Sequence, residues 1–368
     1  MTMIKRKKTR VVSVGGVKIG GNSPVSIQSM AKTDTSDHKA TIREILALEK
    51  AGCEIVRVAV KDMEDARAIS RIRPRISIPL VADIHFDRKL AVEAVKSGAD
   101  KIRINPGNIS KKEDISEVID ACAAKKIPIR IGVNSGSLMD VKKGKALSDK
   151  AMVERVLRYL EHFEKKDFHD IVISIKSSDV VTTVNAYREM STRCDYPLHV
   201  GVTAAGLPAD GIVRSSIGIG ALLMEGIGDT IRVSLTGDPA EEVYTAKRIL
   251  SSLGLRNFGP EIISCPTCGR CQVDLVSVVE ELEAALQALS VKRQAVSGKG
   301  TKNEQRTTNN DIRCTIAIMG CEVNGPGEAK CADIGIAFGK GRAAVFRRGK
   351  IVKVVARKDA VRALLELM

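Results

Sequence analysis

The chain has 368 residues, 44% hydrophobic and 28% charged, a composition that excludes general disorder and exceeds what one small core holds. Lys and Arg outnumber Asp and Glu by 59 to 44, and this surplus of +15 points to nucleic acid, an anionic membrane surface or a small polyanion. Aromatic residues reach only 3% with no Trp, which argues against stacking platforms for single-stranded nucleic acid, and no apolar run approaches the roughly 20 residues of a membrane span.

The basic run Lys5-Arg6-Lys7-Lys8 reads as a solvated, mobile segment. No apolar h-region follows it, so no secretory signal is expected and the expected location is cytoplasmic. The nine cysteines are then expected as thiols, ligands or catalytic groups instead of disulfides. From residue 25 onward, runs rich in Val and Ile alternate with amphipathic stretches. Strands are predicted at 25–30, 55–60, 80–85, 101–105, 128–134, 171–178, 198–203 and 230–236, with helices such as 38–51, 88–97, 148–165 and 240–253. Eight such units match a TIM-type (β/α)8 barrel of about 250 residues. An open doubly wound sheet would carry a glycine fingerprint, and none is placed at a strand-to-helix turn. The cluster Ser216-Ile-Gly-Ile-Gly-Ala has Leu223 at the third glycine position and reads as close helix packing.

The first domain is therefore expected over 1–260, and a small α/β domain over 261–368. In the second, a cysteine cluster opens a helix at 273–289, and a polar, flexible loop follows at about 292–311. Strands are predicted at 314–319, 334–338, 343–346 and 351–355, with a last helix at 359–368.

Residues two apart on a strand share a face. Arg103 thus pairs with Asn105, Arg130 with Gly132 and Asn134, Ser174 with Lys176, His199 with Gly201 and Thr203, and Arg232 with Ser234. Arg57 lies in Val56-Arg-Val-Ala-Val, and Asp83 with His85 in Ala82-Asp-Ile-His. The opposite face is Val, Ile or Leu throughout, so the polar set looks into the barrel, toward its carboxyl-end mouth. Arg57, Arg103, Arg130, Lys176 and Arg232 then converge on one cavity, with Asp83 as the one obvious internal counter-charge. An unpaired buried charge costs several kcal/mol even after relaxation, so the cavity should bind a diphosphate or bisphosphate, which suits the planar fork of arginine. The bland alternative for any single cation is a salt bridge to a loop carboxylate.

Cys265-Pro-Thr-Cys268 has the spacing that puts two thiolates on one metal centre. Cys321 lies in Gly320-Cys-Glu-Val-Asn-Gly-Pro-Gly-Glu328, whose turn can return Glu328 to Cys321. On these residues alone, Cys271 completes an all-cysteine iron–sulfur pattern, and structural zinc is the alternative.

Both cysteine motifs closely resemble the 4-hydroxy-3-methylbut-2-enyl-diphosphate synthase family. So do Pro24-Val-Ser-Ile-Gln-Ser-Met30, Ala82-Asp-Ile-His-Phe86, Arg103-Ile-Asn-Pro-Gly-Asn108, Arg130-Ile-Gly-Val-Asn-Ser-Gly136 and Gly226-Ile-Gly-Asp-Thr-Ile-Arg-Val-Ser-Leu235, in order along nearly the whole chain. The resemblance implies a [4Fe-4S] cluster held by Cys265, Cys268, Cys321 and Glu328. It leaves Cys271 a non-ligand, with Cys314 and Cys331 as structural thiols. It implies that the barrel binds 2-C-methyl-D-erythritol 2,4-cyclodiphosphate through Arg57, Arg103, Asn105, Arg130, Lys176, Arg232 and Ser234. Two electrons and protons, with flavodoxin or ferredoxin as donor, would yield the linear allylic diphosphate and water, a step of the non-mevalonate pathway of isoprenoid biosynthesis. Asp83, Asn134, Thr203 and His85 are the candidates for orienting the substrate hydroxyls. Glu328, a harder and more labile iron ligand than thiolate, is suited to giving way as substrate arrives. A head-to-tail homodimer is implied, one subunit's cluster domain closing the other's barrel against water.

One departure stands out. The family usually reads Thr-Glu-Ala-Gly after the seventh strand, and here the chain reads Thr203-Ala-Ala-Gly206. Alanine transfers no proton, so His85 or a bound water is the candidate substitute. Two other classes compete with this reading: a phosphate-binding barrel aldolase with Lys176 as Schiff-base nucleophile and a zinc-stabilised appendage, and a basic nucleic-acid-binding protein. The first leaves the cysteine domain idle, and the second leaves the inward register of the arginines unexplained.

Overall fold

The computed structural model describes residues 4–137, 139–140, 145–146, 148–296, 314–322 and 332–368. The chain divides into two compact units, one ending at Arg256 and the other starting at Asn257.

The first unit opens with an antiparallel hairpin that the sequence reading did not anticipate, β1 (Val12–Val14) and β2 (Val17–Ile19). Its tip is Gly15-Gly16, with φ of 52° and 94°, the consecutive left-handed residues that a type I′ turn requires. Val12, Val14 and Ile19 pack against Ile55, Val81 and Val172 near the amino ends of three barrel strands and plug the bottom of the barrel. The basic run before the hairpin is docked in part: Lys5 and Lys8 are exposed as expected, but Arg6 and Lys7 are not. Arg6 pairs with Asp229 at 2.9 Å, and Lys7 Nζ donates to the Cys194 carbonyl at 2.9 Å.

The barrel strands are β3 (Ser26–Met30), β4 (Ile55–Val60), β5 (Leu80–Ile84), β6 (Lys101–Ile104), β7 (Ile129–Asn134), β10 (Ile171–Lys176), β11 (His199–Val200) and β12 (Thr230–Ile231). A small hairpin, β8 (Met139–Asp140) and β9 (Lys145–Ala146), follows β7. All eight barrel strands are parallel, in the order β10-β7-β6-β5-β4-β3-β12-β11. A bridge between Ile173 and Leu198 closes the ring, making this a TIM-type (β/α)8 barrel. Its helices are α1 (His38–Ala51), α2 (Met63–Ile72), α3 (Arg88–Lys96), α4 (Lys112–Lys125), α5 (Asp149–Glu164), α6 (Val180–Arg193), α7 (Pro208–Met224) and α8 (Pro239–Ser252). Asp37, Asp62, Asp87, Asp179 and Asp238 cap five of them, each accepting a hydrogen bond from a first-turn N–H. In α7, a Cβ on Gly218 would lie 2.7 Å from Val202, so that glycine does serve close helix packing.

The seventh and eighth strands are shorter than expected. At Gly201 the chain meets the Arg232 backbone with no room for a Cβ, and both segments then leave the sheet as loops.

The second unit is a five-stranded sheet in the order β13 (Glu261–Ser264), β14 (Thr315–Met319), β15 (Ile334–Phe338), β16 (Arg342–Arg347) and β17 (Lys350–Ala356). The first three strands are parallel and the last two pairings antiparallel. Helices α9 (Leu275–Val296) and α10 (Ala360–Leu365) pack their apolar faces on it, burying Leu275, Leu282, Ile316, Ile318, Ile336, Phe338 and Leu364. Helix α9 runs to Val296, so 292–296 is helical where a loop was expected; 297–313 lies outside the described residues. Among the described residues, no helix is long and apolar enough to cross a membrane.

Candidate active site

The alternation along the strands places Arg57, Asp83, Arg103, Arg130 and Lys176 inside the barrel. Arg103 donates to Asp83 Oδ1 at 2.8 Å and to the Gly132 carbonyl at 3.1 Å. Arg57 Nε lies 3.6 Å from the other Asp83 oxygen and Nη2 lies 2.8 Å from Met30 Sδ. Arg130, 1% exposed, donates to Gln28 Oε1 at 3.4 Å. Glycine makes room for these long side chains. A Cβ on Gly132 would stand 2.7 Å from Arg103 Nε, and one on Gly201 would stand 2.7 Å from Lys176 Nζ.

The electrostatics follow from this crowding. Burial alone would raise the Asp83 carboxyl, but Arg57, Arg103 and Arg130 outweigh it and hold it at about 2. Burial, reinforced by mutual repulsion, lowers Arg57 to about 9 and pushes Arg130 and Lys176 well below their ordinary values. Arginine keeps its proton at neutral pH. The excess positive charge is therefore relieved by an incoming anion or by the lysines giving up protons.

The expectation of Asp83 as the sole internal counter-charge needs correction. Glu242, on the first turn of α8 and 1% exposed, pairs with Arg232 at 3.3 Å and accepts from Ser29 Oγ at 3.0 Å. An acid in a helix's first turn looks like an ordinary dipole partner, and the sequence offers no sign that this one turns inward. Two further buried groups were passed over. Lys101 shares the inner face of β6 with Arg103, and His199 heads the inner face of β11; both are fully buried. The rule that found Arg103 would have found Lys101.

The remaining expected residues sit at the carboxyl ends of strands. Asn134 ends β7, His85 and Asn105 follow β5 and β6, and Thr203 and Ser234 lie just beyond β11 and β12. Gly107 N–H donates to Asn105 Oδ1 at 3.0 Å and Asn108 Nδ2 to the His85 carbonyl at 2.5 Å, tying the two loops together. Ala204 is exposed with φ of 50°, a left-handed conformation uncommon for a residue with a Cβ.

In the second unit, Cys265 directly follows β13, a strand the sequence reading missed, and Cys321 follows β14 by two residues. The two strands pair in parallel, and Cys265 N–H continues the ladder to the Ile318 carbonyl at 3.3 Å. Gly320 N–H donates to Cys265 Sγ at 3.3 Å, a bond of the kind that tunes metal-bound thiolates. A Cβ on Gly320 would collide with Cys271 Sγ and lie 3.5 Å from Cys265 Sγ, so glycine is what lets both sulfurs approach. Cys268 is exposed, and hydrogen bonds from the Arg270 backbone and side chain lower its thiol. Cys321 is buried, and Cys271 Sγ donates to the Val273 carbonyl at 3.2 Å. Cys265 and Cys321 at paired strand ends, with Cys268 in the following turn biased toward thiolate, fit a sulfur-ligated metal group. Among the described residues, no three His, Cys, Asp or Glu side chains already stand as a metal site; Glu328 and Cys331 lie outside those residues.

The GcpE TIM-barrel domain matches residues 9–247, and the GcpE protein C-terminal domain matches 261–368. The chain belongs to the GcpE family. A relative from Thermodesulfovibrio yellowstonii is 53% identical over 366 residues, 99% of each chain, and one from Clostridium perfringens is 51% identical over 368, again 99% of each. Both are named 4-hydroxy-3-methylbut-2-en-1-yl diphosphate synthase (flavodoxin). Among solved structures, a dihydropteroate synthase from Stenotrophomonas maltophilia shares the fold, with a TM-score of 0.52 at 15% identity over 68% of this chain and 100% of that one. Membership of GcpE agrees with the resemblance read from the motifs. The aldolase and nucleic-acid readings find no support in these relatives.

Proposed function

We propose that this GcpE chain opens 2-C-methyl-D-erythritol 2,4-cyclodiphosphate reductively to (E)-4-hydroxy-3-methylbut-2-enyl diphosphate. Two electrons and protons enter, a ring carbon–oxygen bond breaks, one hydroxyl leaves as water, and the diphosphate stays on the remaining carbon. The observation that carries this reading is the excess of inward cations over acids in a barrel whose relatives are named for a diphosphate product.

Arg57, Arg103, Arg130, Lys176 and Arg232 hold the diphosphate, with Asn105 and Ser234 at its edge. As the ring bond breaks, negative charge grows on the departing phosphate oxygen, and fixed cations bind it more strongly then than in the substrate. Asp83 holds Arg103 and Arg57 in place, and with Asn134, Thr203 and His85 it orients the erythritol hydroxyls. Ala204 carries no proton, so His85 or a bound water serves as the proton donor. Cys265, Cys268, Cys321 and Glu328 would hold a [4Fe-4S] cluster, which would supply the two electrons delivered by flavodoxin. A head-to-tail homodimer in the cytoplasm, with residues 257–368 of one subunit over the barrel of the other, completes the proposal.

The test is anaerobic turnover of the full chain, loaded with iron and sulfide, with the cyclic diphosphate and reduced flavodoxin, followed by phosphorus NMR. Conversion to the allylic diphosphate is expected. Unchanged cyclic diphosphate with a fully loaded protein would overturn the reading.

A further inference from the structure

Beneath the arginines the barrel holds a second layer of polar groups that the reaction does not use. Lys101 is in register with Val81, whose side chain is part of the apolar plug made with the amino-terminal hairpin. His199 is in register with Thr230 on the neighbouring strand. Among the described residues, Lys101 Nζ, both ring nitrogens of His199, Gln28 Nε2 and Arg130 Nε are sealed from solvent with no hydrogen-bond partner. Buried polar groups are almost always satisfied, and an unsatisfied one costs about 1–3 kcal/mol. A cluster of them marks a place whose bonding or charge changes in the working protein.

Lys101 is faced by Arg130 from β7 and Arg57 from β4. His199 is faced by Lys176 from β10, Arg130, Lys101 and Arg57. Arg103 and Arg232 complete the ring, while Asp83 is committed to Arg103 and Arg57, and Glu242 to Arg232. Lys176 is in register with Asn134, nearer the carboxyl end, at the level of the expected anion.

We propose that Lys101 and His199 form a proton-accepting floor beneath the diphosphate, so that binding the substrate draws protons into the barrel. Burial first, and repulsion from the arginines second, drive both groups well below their ordinary values and favour their neutral forms before substrate arrives. An anion above them cancels the repulsion and makes the protonated forms favourable. Substrate affinity then includes proton uptake, by linkage.

This inference rests on the diphosphate reading, and the test separates the two. Both phosphorus atoms of the cyclic diphosphate carry one strongly acidic hydroxyl each, so its charge is constant across the neutral range. Titration calorimetry of the full chain in buffers of contrasting ionisation enthalpy then reads the protein's protons alone. Uptake of about one proton per anion is expected, with affinity falling about tenfold per unit rise in pH. Lys101→Met, which removes an unpartnered buried amine, and His199→Gln should each cut the uptake at least by half. Binding with no buffer dependence, or uptake unchanged in both variants, overturns the inference. If the cyclic diphosphate does not bind, the functional reading falls, and sulfate, also of fixed charge, replaces it. Uptake with sulfate upholds the floor; binding without uptake, or no binding, overturns it.

Discussion

In the barrel the charged groups stand on or directly beyond strands, Arg57 on β4, Asp83 on β5, Arg103 on β6, Arg130 on β7 and Lys176 on β10; all but half-buried Arg57 are buried, and Asp83 ties Arg57 to Arg103. In the carboxyl-terminal unit the thiols stand beyond strand ends, with Cys268 exposed in a turn. The proposed function accounts for the contrast. A strand-borne cation ring is organised before its ligand arrives, and folding bears the cost of repulsion among the cations. On the proposed reading, thiols on turns would take their final arrangement together with the metal group they bind, coupling their geometry to loading.

The largest effect expected from breaking this contrast is in the second unit. Cys268→Ser changes an exposed side chain, so the fold should survive while bound iron and turnover are lost, by more than the about 100-fold typical of an outer-shell partner. Iron content with circular dichroism checks both halves of that statement.

In the barrel, Asp83→Asn leaves two buried guanidinium groups without their acid and should cost about 3–5 kcal/mol of stability. Chemical denaturation measures it, and added sulfate should restore more stability to the variant than to the parent. The same residue sets an acid limb. Its folded value of about 2 lies below the ordinary 3.8, so the stability it lends is complete above the ordinary value and is lost as pH falls toward the folded one. The Asn variant should lack that part of the acid transition.

Lys176→Met removes a charge-assisted contact at anion level, about 1.5–3 kcal/mol, and should lower kcat/KM about 10- to 100-fold with iron content unchanged. The smallest effect is expected from Gly132→Ala. Its Cβ displaces Arg103 by crowding Nε, an overpacking cost of about 1 kcal/mol visible as a few-fold rise in KM.

The barrel was legible because strand alternation is a strong signal: Val and Ile on one face make Arg103, Arg130 and Lys176 conspicuous on the other. The same rule applied one step earlier finds Lys101. The Gly15-Gly16 hairpin also has a sequence signature, a glycine pair between two alternating runs, and would have been found by starting the strand search before residue 25. Other features had no local signal. Glu242 turns inward through contacts with Ser29 and Arg232, distant in sequence, and Arg6 docks on Asp229 across more than two hundred residues. Strand β13 is four residues long and leads directly into the cysteine motif, so its pairing with β14 becomes visible only in three dimensions.

In the proposed function a diphosphate-binding barrel is served by a redox group in the second unit. The most direct measurement is iron and acid-labile sulfide analysis of the anaerobically purified chain, with its ultraviolet–visible spectrum. Near-equal iron and sulfide, about four of each per chain, are expected. Stoichiometric zinc without sulfide, persisting after anaerobic reconstitution, would contradict it and leave the cysteines a structural role.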